Sequence, residues 1–116
     1  MTRFMLIYRN RSESYQKISP DEMQRLHQKW QSWIADGFQK GWLLDSGNGL
    51  KTEGCVVNAQ MLVTDGPFVE SKEIVGGYGI VQAESIAAAT EIAKGCPILL
   101  GGGSVEVRPL WVQNQK

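Results

Sequence analysis

An α+β fold is predicted by three features of this 116-residue chain: a five-residue apolar run near its start, one long amphipathic stripe ended by glycine, and an alanine-rich helix followed by a final strand. The apolar run is Phe4-Met5-Leu6-Ile7-Tyr8, too short for a helix and continuous enough for a strand buried on both faces. Ser19-Pro20-Asp21-Glu22 then supplies an N-cap, a proline at the first helical position, and acidic residues in the first turn with Glu22 at the capping-box position. Met23, Leu26, Trp30, Trp33, Ile34 and Phe38 follow at three- and four-residue steps, one core-directed stripe that Gly37 or Gly41 brings to an end.

Trp42-Leu43-Leu44 reads as a second strand, and Ser46-Gly47-Asn48-Gly49 is loop by composition. Val56-Val57 and Met61-Leu62-Val63-Thr64 flank Asn58-Ala59-Gln60, which predicts a short hairpin or a bent strand. After the turn at Asp65-Gly66-Pro67-Phe68, residues 74–81 form a strand whose glycines, Gly76, Gly77 and Gly79, predict a bulge or a close backbone or ligand neighbour. Ser85 caps a second helix running through Lys94, expected to face the core with Ile86, Ala89, Ile92 and Ala93, and Gly95 with Pro97 stops it. The last strand is expected at Val105 to Leu110, after a turn at Gly101-Gly102-Gly103. A strand follows those glycines, so the helix N-terminus of a phosphate cradle is missing.

Strand, helix, strands, helix, strand in one domain spanning residues 1–116 fits the ferredoxin-like split βαβ plan, an antiparallel sheet with two helices on one face. That plan leaves the other face bare. The continuous apolar first strand implies apolar cover there, and the simplest cover is the same face of a second copy, a homodimer with facing sheets.

Twelve Lys and Arg balance twelve Asp and Glu, so no global field draws the chain to nucleic acid, and no basic stripe marks a reader of it. The opening apolar run is shorter than a signal or membrane segment, so no membrane association and a cytoplasmic location are expected. Cys55 and Cys96 lack CxxC spacing and the chain's single histidine lies elsewhere, which favours two buried reduced thiols over a zinc site or redox pair; no metal or other cofactor is expected.

Two groups stand out for proton chemistry. Asp65 follows a strand and precedes Gly66-Pro67, where its carboxylate either acts as an acid or base at a cleft edge or accepts N–H bonds from its own turn. His27 lies on or beside the buried stripe, either as a proton partner or as a structural residue. Trp30 and Tyr78, with Trp33 and Trp42, are candidates to line an apolar pocket for a flat small molecule, against core packing as the simpler role. Phe68, Lys72 and Glu73, with Glu70, are candidates to order a ligand over the turn, against solvated loop charges.

The Asp65-Gly66-Pro67-Phe68 motif with Glu70, Lys72 and Glu73 after it, the opening Phe4-Met5-Leu6-Ile7-Tyr8 and the closing Ser104-Val105-Glu106-Val107-Arg108-Pro109 resemble the YCII-related proteins of the DGPF type. That resemblance implies a dimeric α+β barrel with a cleft between helix and sheet in each subunit. It also implies a His and Asp acid/base pair, with Asp65 at the position of the motif's aspartate; histidine is not an obligatory part of the first-helix pattern in DGPF-type relatives, so His27 is not carried over by it. Relatives are often encoded beside alternative sigma factors, which implies room for a regulatory role. Three functions follow: a cofactor-independent acid/base enzyme acting on a small organic substrate, a noncatalytic binding or regulatory module using the same cleft, and a structural or interaction homodimer.

Overall fold

The computed structural model describes residues 1–11, 18–66 and 73–111. Its elements are β1 (Thr2–Arg11), α1 (Pro20–Lys40), β2 (Leu43–Asp45), β3 (Gly54–Val57), β4 (Val63–Gly66), β5 (Glu73–Ala83), α2 (Ile86–Lys94) and β6 (Ser104–Pro109), with a 3-10 turn at Pro97–Gly101 before β6. Four strands form one sheet in the order β2-β5-β1-β6. All of its pairings are antiparallel, so the parallel crossover β1-α1-β2 straddles β5, which is the split βαβ arrangement. The expected α+β plan is the one observed.

Local chemistry places the helices as anticipated. The Ser19 hydroxyl accepts the Glu22 N–H at 3.2 Å, Pro20 occupies the first turn, and Gly41 closes α1 in the left-handed region with its N–H on the Gly37 carbonyl. Of the two candidate stops, Gly41 is therefore the cap; Gly37 lies inside the helix, buried where α1 meets β2. The Ser85 hydroxyl caps α2 by accepting the Ala88 N–H at 3.1 Å. The alanines then let α2 lie close to the sheet, with Ala89 and Ala93 in the core.

That core is Phe4, Leu6, Tyr8, Leu43, Val81, Ala83, Ala89, Ala93, Cys96 and Ile98, with Trp30, Trp33, Ile34 and Trp42 packed on it. Alternation along β1 sends Phe4, Leu6 and Tyr8 under the helices, while Met5 and Ile7 on the opposite face are half-buried. In the single chain β1 is therefore fully covered on one face only, a narrower burial than its continuous apolar run predicts. Several stripe and helix residues also lie further out than expected: Met23, Phe38 and Ile86 are exposed, because each sits at the end or edge of its helix beyond the reach of the sheet.

The glycine-rich strand β5 carries the predicted irregularity. The β1–β5 register shifts between Tyr8 and Arg9, opposite Gly77 and Val75, leaving Gly76 as the extra residue of a bulge. Close neighbours explain two of the glycines. A methyl on Gly77 would meet the Asn48 carbonyl at 3.0 Å, and one on Gly79 would meet the Tyr8 hydroxyl at 2.6 Å. The turn expected at Gly101-Gly102-Gly103 is present, with Gly102 at φ 84°, and it closes a 3-10 turn over Pro97–Gly101 that composition does not announce.

Residues between β2 and β5 leave the main sheet. β3 and β4 pair antiparallel with each other to form a separate two-stranded sheet, the hairpin alternative of the sequence reading. Its tip is held by the Asn58 side chain, whose oxygen accepts from the Gln60 and Leu62 N–H groups at 2.9 and 3.0 Å, with Met61 in the left-handed region at φ 64°.

Candidate functional site

Asp65 is carried by this hairpin arm. It lies directly across from Cys55, and alternation puts the two on one face with Val57 and Val63, all exposed. The Asp65 carboxylate makes no hydrogen bond or ion pair among the described residues. The arm is apolar as well as acidic: Val57, Met61, Leu62 and Val63 are 58, 81, 63 and 64% exposed, too concentrated for an ordinary solvated hairpin. Pro67, Phe68, Glu70 and Lys72 lie outside the described residues. Glu73, the first residue of β5, accepts the Ser104 hydroxyl at 3.4 Å across the end of the sheet.

His27 is on α1, exposed, at the flank of the buried stripe. Its Nε2 stands 3.2 Å from Gln31 Nε2, one turn along the same helix. No hydrogen bond joins His27 to Asp65 among the described residues, and the two belong to different elements, the helix and the arm.

The aromatic candidates divide between the faces of the sheet. Trp30 packs edge-on against Tyr8 at 5.0 Å and Trp33 at 5.8 Å; Trp33 continues to Trp42 at 5.0 Å, one connected cluster between α1 and the sheet. Tyr78 pairs with Ile7 in the β1–β5 register and so projects to the opposite face, where Asn48 Nδ2 approaches its hydroxyl at 3.5 Å. Trp30 and Tyr78 therefore do not share a pocket within one chain. The face that carries Tyr78 also carries Met5, Ile7 and Ile80 and an ionic network in which Arg9 Nε and Nη2 lie 3.2 and 2.9 Å from Glu106 Oε1 and Arg108 Nη1 lies 3.0 Å from Oε2. The Arg108 and Arg9 hydrogen bonds hold the Glu106 carboxyl below its ordinary range.

Two buried groups escape a sequence reading. The Tyr8 hydroxyl is closed to solvent and has no hydrogen-bond partner among the described residues, and its burial, reinforced by nearby Cys96, raises its pKa. Burial likewise pushes the Cys96 thiol up to about 12, only partly opposed by the Ile98 N–H. Both were legible as apolar positions, but nothing in a sequence says which polar atom will lack a partner. Cys55 departs from the expected pair of buried thiols: it is exposed on the arm, and both cysteines are free.

Among the described residues no three His, Cys, Asp or Glu side chains converge as a metal cluster, and no helix is long and apolar enough to cross a membrane. A comparison with curated proteins gives no match. A family model for the YCII-related domain matches residues 2–114, nearly the whole chain, and with the strand order and the Asp65 motif this places the protein in the YCII-related family.

Proposed function

We propose that this YCII-related protein is a cytoplasmic homodimer that binds a small organic molecule beside the hairpin arm and exchanges a proton with it through Asp65, without a cofactor. The observation that carries the reading is the Asp65 carboxylate itself, exposed and unconsumed by any hydrogen bond or ion pair among the described residues. An exposed carboxylate with no partner among the described residues can meet a ligand as proton donor or acceptor.

The homodimer is supported by two uncovered apolar surfaces, the arm with Val57, Met61, Leu62 and Val63 and the half-buried sheet face with Met5, Ile7 and Ile80. In that assembly the ligand is held by aromatic surface from Trp30 or Tyr78, which serve different faces, while Phe68, Lys72 and Glu73 order it at the turn. His27 is the second proton-handling group, because its Nδ1 makes no hydrogen bond among the described residues.

A noncatalytic binding or regulatory module is the second reading, favoured by the fact that His27 is joined to Gln31 and not to Asp65. One experiment separates the two: a set of small organic acids, aldehydes and ketones is screened for binding by thermal shift and for turnover by NMR, with wild type and Asp65→Asn side by side. Turnover lost in Asp65→Asn with binding retained supports the enzyme. Binding altered with no turnover in either protein supports the module, and neither binding nor turnover changed by the substitution removes Asp65 from the function.

A further inference from the structure

A groove of about 440 Å³ runs between α1 and the segment that links α2 to β6. α1 supplies Arg25, Gln28 and Lys29 and, at one end, the indole of Trp33; the facing segment supplies Pro97 and Leu100, so that an apolar wall of Trp33, Pro97 and Leu100 stands beside the cations. A helical turn of about 100° per residue sets Arg25 and Lys29 on one flank of the buried stripe and His27 with Gln31 on the other, so this groove does not include His27 or Asp65 and shares only Trp33 with the aromatic cluster.

Among the described residues no acidic side chain lines the groove, Asp21 standing instead in the adjoining hollow with Arg25 and Gln28, and neither Arg25 nor Lys29 forms an ion pair, although Arg9, Lys40, Lys51, Lys94 and Arg108 all do. Among the described residues the hydrogen bond Arg25 makes is a long 3.5 Å approach of Nε to the Asp21 carbonyl, which leaves its outer nitrogens available. The indole of Trp33 bounds the groove at Gly95, where a methyl would lie 3.3 Å from Nε1, and this indole N–H makes no hydrogen bond among the described residues. A side chain at position 95 would crowd that edge.

We propose that the groove is a binding site for a small organic anion with a flat or apolar body, its carboxylate, sulfonate or phosphate on Arg25 and Lys29 and its body against Trp33, Pro97 and Leu100. The pairing of donors with a nonpolar wall sets the class. A cation finds two like charges, a neutral apolar molecule leaves both cations without a partner, and a bare inorganic anion makes no use of the wall. Cation and indole also lie on one helix four residues apart, so the ligand meets a rigid element and little ordering is needed.

The test is an NMR titration of the intact protein with 2-naphthoate, followed at the Trp33 indole N–H, with 2-naphthalenemethanol and inorganic phosphate as companions. Saturable shifts at Trp33 and in residues 97–100 with 2-naphthoate, weakened roughly tenfold in Arg25→Gln/Lys29→Gln and by added salt, are expected. Asp65→Asn is expected to leave this titration unchanged, so failure here and failure at Asp65 are distinguishable. Equal binding of the neutral alcohol, equal binding of inorganic phosphate, or shifts that leave Trp33 untouched would each overturn the proposal. Both substituted side chains project from the surface of α1, and an unchanged circular dichroism spectrum certifies the double variant.

Discussion

Removing the Tyr8 hydroxyl is expected to stabilise the protein, an unusual sign for a truncation in a core. Tyr8 is 5% exposed, its ring packs against Trp30 and Trp33, and its hydroxyl is closed to water without a partner among the described residues. Phenylalanine keeps the ring contacts and removes the unsatisfied group, which on burial alone costs about 1 to 3 kcal/mol. Gly79 provides the internal control. Its alanine variant puts a methyl 2.6 Å from that same hydroxyl, with the Asp45 carbonyl and Tyr8 Cζ at ordinary separations of 3.4 and 3.6 Å. Gly79→Ala alone should therefore cost about 1 to 3 kcal/mol through overpacking, and most of that cost should vanish in the Tyr8→Phe background. The measurement is a double-mutant cycle from urea unfolding followed by tryptophan fluorescence, at one fixed protein concentration so that self-association does not enter. A Tyr8→Phe variant destabilised by more than about 1 kcal/mol would show that the hydroxyl has a partner, and a coupling energy below about 0.5 kcal/mol would show that methyl and hydroxyl do not meet.

Three further outcomes are expected. Gly37→Ala should destabilise although alanine is the better helix former by about 1 kcal/mol, because the methyl would lie 2.7 Å from Trp42 and 2.8 Å from Leu43; equal or higher thermal stability would contradict that packing. Ellman's reagent should modify exposed Cys55 under native, monomeric conditions and Cys96 only on unfolding, so that Cys55→Ser abolishes the native reaction; a fast second thiol would place Cys96 outside the core. Stability should fall at alkaline pH: the folded state keeps the Cys96 proton up to about 12 whereas the unfolded thiol loses it near 9.0, so folding binds the extra proton and loses up to about 1.4 kcal/mol per pH unit above pH 9, with Tyr8 adding in the same direction. A flat profile from pH 9 to pH 10.5, or a Cys96→Ala variant with an unchanged slope, would refute the linkage.

Much of the fold was legible because its signals are local. The Ser19 and Ser85 caps, Pro20, the stripe of α1, a glycine stop at Gly37 or Gly41 and the irregularity at the glycines of β5 each follow from bonds or sterics within a few residues or within one strand. The same locality explains the misplacements. Met23, Phe38 and Ile86 carry the right period, but whether a periodic position is covered depends on how far the sheet extends beneath the helix, which no window of sequence contains.

The candidate site shows the division most sharply. Sequence alone determined that an aspartate stands in the motif, that a single histidine lies on the first helix, and that aromatic residues line the core stripe. Only the tertiary structure decided that Asp65 rides an arm outside the main sheet, that His27 bonds to Gln31, and that Trp30 and Tyr78 fall on opposite faces. The physical reason is register. A strand alternates faces every residue, so the β1–β5 pairing and its bulge assign each side chain to one side, and a one-residue slip would reverse every assignment. The Arg25 and Lys29 groove depends on tertiary structure as well: its cations and Trp33 lie on one helix, but Pro97 and Leu100 are brought there only when the segment after α2 packs back against α1.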